Sequence, residues 1–151
     1  MLEKFRENGK IAQNSEAEVS SETEKQIKMI VMICGLIGAG KTTYAKNNYQ
    51  YVTDFDEILS KEKQIEETLR LHQEGKTVAH ITCVPTRAEQ MAFNRYSPEM
   101  VWINTSPEQA MKNVIKRGRS RDMTRLREIE KSNTRFLKSK DCYGYKWILV
   151  K

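Results

Sequence analysis

The sequence predicts an α/β fold: one sheet of five parallel strands with helices on both faces. Three observations predict it. Strand-like and helix-like stretches alternate from about residue 28 to the end of the chain. A complete phosphate-binding loop of the form GxxxxGK[ST] stands between the first strand and the first helix. Each strand is followed by a stretch long enough to cross over and return parallel.

The elements follow in order. Residues 1–27 are polar and carry no apolar period, so they are expected to form a flexible N-terminal arm before a folded domain over 28–151. Residues 29–34, Met-Ile-Val-Met-Ile-Cys, are an apolar run that reads as a strand buried on both faces. The loop and a helix from Thr42 come next, then a short strand at 51–53. Residues 54–73 read as an amphipathic helix with Phe55, Ile58, Leu59, Ile65 and Leu69 on one side and Gly75 as its stop. A third strand spans 77–84 and ends at Pro85, followed by a short helix over 86–95 and a fourth strand over 100–104. Ser106, Pro107 and Gln109 provide an N-cap, a proline at the first helical position and a capping-box glutamine. That helix runs to about Arg117, where Gly118 breaks it. A further helix covers 124–137, and Tyr143-Gly144 turns the chain into a last strand over 145–150.

The loop Gly35-Leu36-Ile37-Gly38-Ala39-Gly40-Lys41-Thr42-Thr43 carries the chemistry. Its glycines let successive N–H groups point at one anion. Lys41 reaches the terminal phosphates of a nucleotide, and the Thr42 hydroxyl can ligate magnesium. The helix that starts at the loop adds further N–H groups and a positive dipole end. ATP and Mg2+ are therefore the expected cofactors, with Thr42 as the metal-binding side chain.

Composition narrows the class. With 151 residues, 38% of them hydrophobic, the chain can bury a real core as one domain. No apolar stretch approaches the ~20 residues that cross a bilayer, and residues 1–7 lack the apolar core of a signal peptide. Cys34, Cys83 and Cys142 have no metal or disulfide spacing, so the expected compartment is a reducing cytoplasm. The net charge of +6 is concentrated: residues 112–140 hold 11 Lys or Arg against 3 Asp or Glu. Such a block can bind nucleic acid, gather phosphates around a nucleotide, or form a solvated helix face.

A phosphate loop names a nucleotide, not a reaction. The Asn-Lys-x-Asp signature of guanine binding is absent, and the chain is small for a mechanical ATPase. A kinase of a small acceptor remains. It needs a carboxylate for the acceptor's proton and cations for the phosphoryl group. Asp54 and Asp56 follow the second strand directly, and Asp56 is favoured as base. Helix capping by Asp54 and a dipole role for Asp56 are the other reading. The cations are Arg117, Arg119 and Arg121, around Gly118, whose guanidinium forks match phosphate oxygens. Arginines near helix ends also offset the C-terminal dipole, and that reading stays open. Trp102 and Trp147 read as sheet residues rather than base-stacking platforms.

The order of these parts resembles the P-loop kinases related to bacteriophage 5′-polynucleotide kinase and the zeta-toxin group, an ATP-binding family of AAA type. The resemblance rests on Gly35 to Thr43, Thr53-Asp54-Phe55-Asp56-Glu57-Ile58, Thr82-Cys83-Val84-Pro85-Thr86-Arg87, and the stretch from Asn113 to Gly118 followed by Met123 to Leu126. It implies a nucleoside-kinase-like, three-layer P-loop NTPase sandwich with a lid near 117–123. It also implies Asp56 as general base, and Arg117 as a lid arginine touching the donor phosphates. Lys41, Asp56, Arg117 and Arg121 are then the catalytic set. Two positions depart from the family. The arginine expected a few residues after the base is replaced by Ile58-Leu59, and His80 stands where strand three commonly ends in an aspartate. A neutral imidazole is a poor magnesium ligand, and a hydrogen-bonded core histidine is the other reading of His80.

The leading expectation is an ATP-dependent phosphotransferase acting on a hydroxyl, with a polynucleotide 5′-OH as one acceptor. A small-metabolite or nucleoside kinase is the second. A non-catalytic ATP-binding sensor or interaction module is the third.

Overall fold

The structure is a computed structural model that describes residues 29–151; the arm expected at 1–27 lies outside the described residues. Its centre is a five-stranded sheet in the order β2-β3-β1-β4-β5. The strands are β1 Ile30–Cys34, β2 Tyr51–Asp54, β3 Val78–Ile81, β4 Glu99–Ile103 and β5 Ile148–Val150, and every pairing is parallel. All residues of β1 and β3 are buried, so both faces of the sheet are covered by other elements. The core is built from β1 and β4 together with Leu36, Ala45, Leu71, Phe93 and Ala110. Trp102 of β4 is buried, as expected of a sheet residue, whereas Trp147, also expected in a strand, lies just before β5 and meets Trp102 edge-on at 5.6 Å.

Among the described residues, seven α-helices connect and cover the strands: α1 Lys41–Asn48, α2 Phe55–Ile58, α3 Lys61–Gln73, α4 Arg87–Phe93, α5 Pro107–Arg117, α6 Ser120–Met123 and α7 Leu126–Lys140. Local signals set most of their ends. Ser106 accepts from the Gln109 N–H at 3.1 Å, and Pro107 occupies the first turn of α5. Gly118 closes α5 in the left-handed conformation. No described helix is long and apolar enough to cross a membrane.

The helix expected over 54–73 is two helices. Asp54 stays extended in β2, and its Oδ1 accepts the Asp56 N–H at 3.1 Å. Leu59 then adopts φ 64°, which ends α2, and Ser60 caps α3 by accepting from the Lys63 N–H at 3.2 Å. The apolar face assigned to the single helix holds only for its second half, where Ile65 and Leu69 pack against the core. Leu59 is 68% exposed and Phe55 43%, whereas α3 buries Gln64, Thr68 and Leu71. Gln64 and Thr68 face inward because the adjoining strands offer polar partners. The Gln64 amide donates to Thr53 O at 3.0 Å and Ile81 O at 2.8 Å. The last strand is shorter than its expected 145–150, and the segment expected as one helix over 124–137 is preceded by the separate turn of α6.

His80 is a core residue. It is fully buried on β3, with Nδ1 2.7 Å from Thr68 Oγ1 and Nε2 2.6 Å from Glu89 Oε2. A carboxylate only accepts, so Nε2 carries the proton and Nδ1 accepts from Thr68. Glu89 is itself fully buried on α4, where it completes a capping box with Thr86 and takes a salt bridge from Lys61 at 2.8 Å. Burial pushes His80 below its ordinary value and keeps it neutral, against the pull of Glu89. Burial alone would raise Glu89, but the hydrogen bond from His80 and the charge and hydrogen bond of Lys61 outweigh it and hold the carboxyl at about 2.

Both shifts are downward, so in acid the unfolded chain binds more protons than the folded one and stability falls with pH. Urea denaturation is expected to show stability declining below about 6.5 as His80 gains a proton and its charge in the unfolded chain, and further between 4.5 and about 2 as the unfolded-chain Glu89 carboxylate is protonated and neutralised. Glu89→Gln should flatten the second decline; an unchanged profile in that window would refute the ion pair as its source.

Candidate functional site

The loop from Gly35 to Lys41 leaves the C-terminal end of β1, and α1 starts at its end. Every carbonyl from Gly35 to Gly40 is engaged. Lys41 Nζ donates to Gly35 O and Leu36 O at 3.1 and 2.7 Å. Asn133 Nδ2 donates to Ile37 O at 3.1 Å, Asn113 Nδ2 to Gly38 O at 2.8 Å, and Thr105 Oγ1 to Ala39 O at 2.9 Å. Gly40 O accepts the Tyr44 N–H at 3.0 Å. The N–H groups of Gly38, Gly40, Lys41, Thr42 and Thr43, by contrast, have no acceptor among the described residues. A loop with its carbonyls tied back and its amides free is an anion receptor.

Glycine at position 38 is a steric requirement. Its φ is +90°, and an added Cβ would stand 2.3 Å from Ala110 O on α5. Gly40 has φ +96° but open space around it. The loop therefore lies directly against α5.

Around it opens a cleft of about 1140 Å³. Ile37 to Thr43, Asp54, Asp56, Lys61, Thr82 to Thr86, Arg117, Arg119, Arg121 and Phe136 are among its lining residues. Each candidate catalytic residue from the sequence thus reaches one cleft. Their pairing differs from a simple division of labour. Asp54, not Asp56, meets the phosphate loop: its Oδ2 accepts the Thr42 hydroxyl at 2.9 Å, while its Oδ1 caps α2. Asp56 lies across the cleft mouth, 3.3 Å from Arg119 Nη1 and 3.4 Å from Arg121 Nη2. Arg117 pairs with Asp122 at 3.2 Å. No group of three or more His, Cys, Asp or Glu gathers among the described residues to hold a metal. The Thr42–Asp54 oxygens nonetheless fit magnesium, a hard cation usually held by one or two protein oxygens plus phosphates and water.

The basic block divides in two. Arg117, Arg119, Arg121 and Arg125 line the cleft, whereas Arg127, Lys131, Arg135 and Lys138 are exposed along α7.

Sequence reasoning missed four contributors. Asn113, Asn133 and Thr105 hold the loop from outside, and no motif spacing marks them. Lys61 enters the cleft at its other side, its head 31% exposed and fixed by Glu89 at 2.8 Å and Gln64 Oε1 at 3.1 Å. The serine cap at Ser60, which restarts the chain as α3, was the available signal for Lys61.

No known protein family matches this sequence, and no curated protein matches it. Solved structures do. Deoxyadenosine kinase from M. mycoides, determined with bound dATP, superposes with a TM-score of 0.50 at 14% identity, over 82% of this chain and 90% of that one. The fold is that of the P-loop kinases. Shikimate kinase from Bacteroides thetaiotaomicron, at 17% identity over 81% of this chain and 85% of that one, gives a TM-score of 0.49. A P-loop kinase fold puts the phosphate loop at the end of the central strand, as β1 does here.

Unfolding measurements test the loop's fit against α5. Gly38→Ala is expected to destabilise by about 2–4 kcal/mol through overpacking and backbone strain. Gly40→Ala should lose only about 1–2 kcal/mol, from strain alone. Equal losses would refute the close approach.

Proposed function

We propose that this chain is an ATP-dependent phosphotransferase that moves the γ-phosphate to a hydroxyl acceptor. The observation that carries the reading is the free row of loop amides opening into the same cleft as Asp56 and the three lid arginines. Positioning and charge stabilisation are what phosphoryl transfer asks of a protein.

Lys41 exchanges its contacts with Gly35 O and Leu36 O for the terminal phosphates. Thr42 and Asp54 would hold magnesium, which would supply positive charge to the phosphate oxygens. Arg117 and Arg121 bind phosphate oxygens. Asp56 accepts the acceptor's proton once Arg119 and Arg121 turn to the nucleotide, because an ion-paired carboxylate is a weak base. Lys61 faces the acceptor as a cation, and so fills the charge role left open at Ile58-Leu59. A polynucleotide 5′-OH fits that cation and the exposed basic face of α7. A nucleoside or small metabolite is the second reading, supported by the apolar end of the cleft at Val84, Pro85, Phe136 and Tyr143. A bulk location in the cytoplasm suits both acceptors.

The test is labelled transfer from ATP to a 5′-hydroxyl oligonucleotide, beside a panel of nucleosides and sugars. Lys41→Ala is expected to lower transfer about 10²-fold or more. Asp56→Asn should lower it about 10²–10⁴-fold while retaining Mg-ATP binding. Normal turnover by Asp56→Asn would remove the base assignment. Tight Mg-ATP binding with no transfer to any acceptor would favour the sensor reading.

A further inference from the structure

We infer that Asn133 is the positioning residue of the phosphate loop, acting from α7 through the Ile37 peptide; this rests on the reading of the loop as the ATP site. Its amide bonds both backbone polar groups of one residue, the N–H of the Leu36–Ile37 peptide and the C=O of the Ile37–Gly38 peptide. Oδ1 accepts the Ile37 N–H at 2.8 Å, and Nδ2 donates to Ile37 O at 3.1 Å. The orientation of the amide is fixed by these partners, since a flipped amide would oppose donor to donor and acceptor to acceptor.

Three features separate this contact from ordinary packing. Asn133 is 2% exposed, and with Ile129 it is one of the two buried residues of α7. A leucine there would suit an amphipathic helix better, yet it would leave the Ile37 N–H and C=O without partners. Next, the Ile37 C=O lies in the same planar peptide as the Gly38 N–H, the first of the receptor amides, so fixing that carbonyl sets the direction of the N–H. Finally, no other described group bonds the Ile37 N–H or C=O. Without Asn133 these two groups lose their fixed partners while Lys41 and Asn113 still hold the carbonyls of Leu36 and Gly38, and an anion must then order Ile37 on binding.

The inference predicts a loss in phosphate affinity without loss of fold. Calorimetric titrations would compare Mg-ATP and inorganic tripolyphosphate on wild type, Asn133→Ala and Asn133→Asp. Asn133→Asp keeps the shape and the acceptor oxygen but sets a carboxylate oxygen against Ile37 O. Both variants are expected to weaken both probes by about 10-fold or more, Asn133→Ala through two lost hydrogen bonds and Asn133→Asp through one lost bond and a new repulsion between oxygens. Hydrogen exchange should show the Ile37 amide losing protection while β1 amides keep theirs. A folded variant that binds both probes within twofold of wild type overturns the inference. So does failure of both variants to fold, which would make the residue purely structural. Absence of binding by wild type would instead overturn the reading of the loop as an ATP site.

Discussion

An anion receptor made of backbone amides demands that those amides find no partner inside the protein, although unpaired peptide groups are what folding normally removes. The rest of this molecule is arranged around that demand. The loop between β1 and α1 keeps its carbonyls occupied by Asn133, Asn113, Thr105 and its own lysine, so the peptides cannot turn over and satisfy themselves. β1, buried on both faces, gives the loop a rigid origin, and α1 adds its first-turn amides. Side chains from three other segments, all distant in sequence, are needed to hold one short loop open.

The second organising element is the buried group of Glu89, His80, Thr68 and Lys61. A fully buried carboxylate is costly unless every oxygen is used. Here one oxygen caps α4 through the Thr86 N–H at 2.8 Å, and the other serves His80 and Lys61. The only member with access to the cleft is the lysine. The two positions that break the family pattern therefore belong to one solution. His80 supports Glu89, and Glu89 fixes the cation that reaches the cleft from two residues beyond Leu59.

The parallel sheet, the succession of its elements along the chain and the phosphate loop were legible because each has a local signature: apolar runs, caps, glycine spacing. Asp54, Asp56 and the arginines were legible as a set, since strand ends and helix breaks marked where they would lie. Their division of work was not. That Asp54 turns to Thr42 while Asp56 turns to the lid depends on one extended residue at the end of β2, and adjacent aspartates look alike in a sequence. The break at Leu59 was hidden because a leucine in the left-handed conformation gives no warning. Asn133 was hidden for a related reason. It sits on the inward stripe of a charged helix, where a lone asparagine carries no motif, and its partner lies 96 residues away.

The anchoring of Asn113 and Asn133 has a mechanical side. The first lies on α5 before Gly118, the second on α7 after α6, and they grip neighbouring peptides, Gly38 and Ile37. The arginine-bearing span between them is thus a bail handle with both feet set in the same hinge plate. A span so anchored cannot drift away from the loop or slide along it, because both of its feet grip the loop's own peptides.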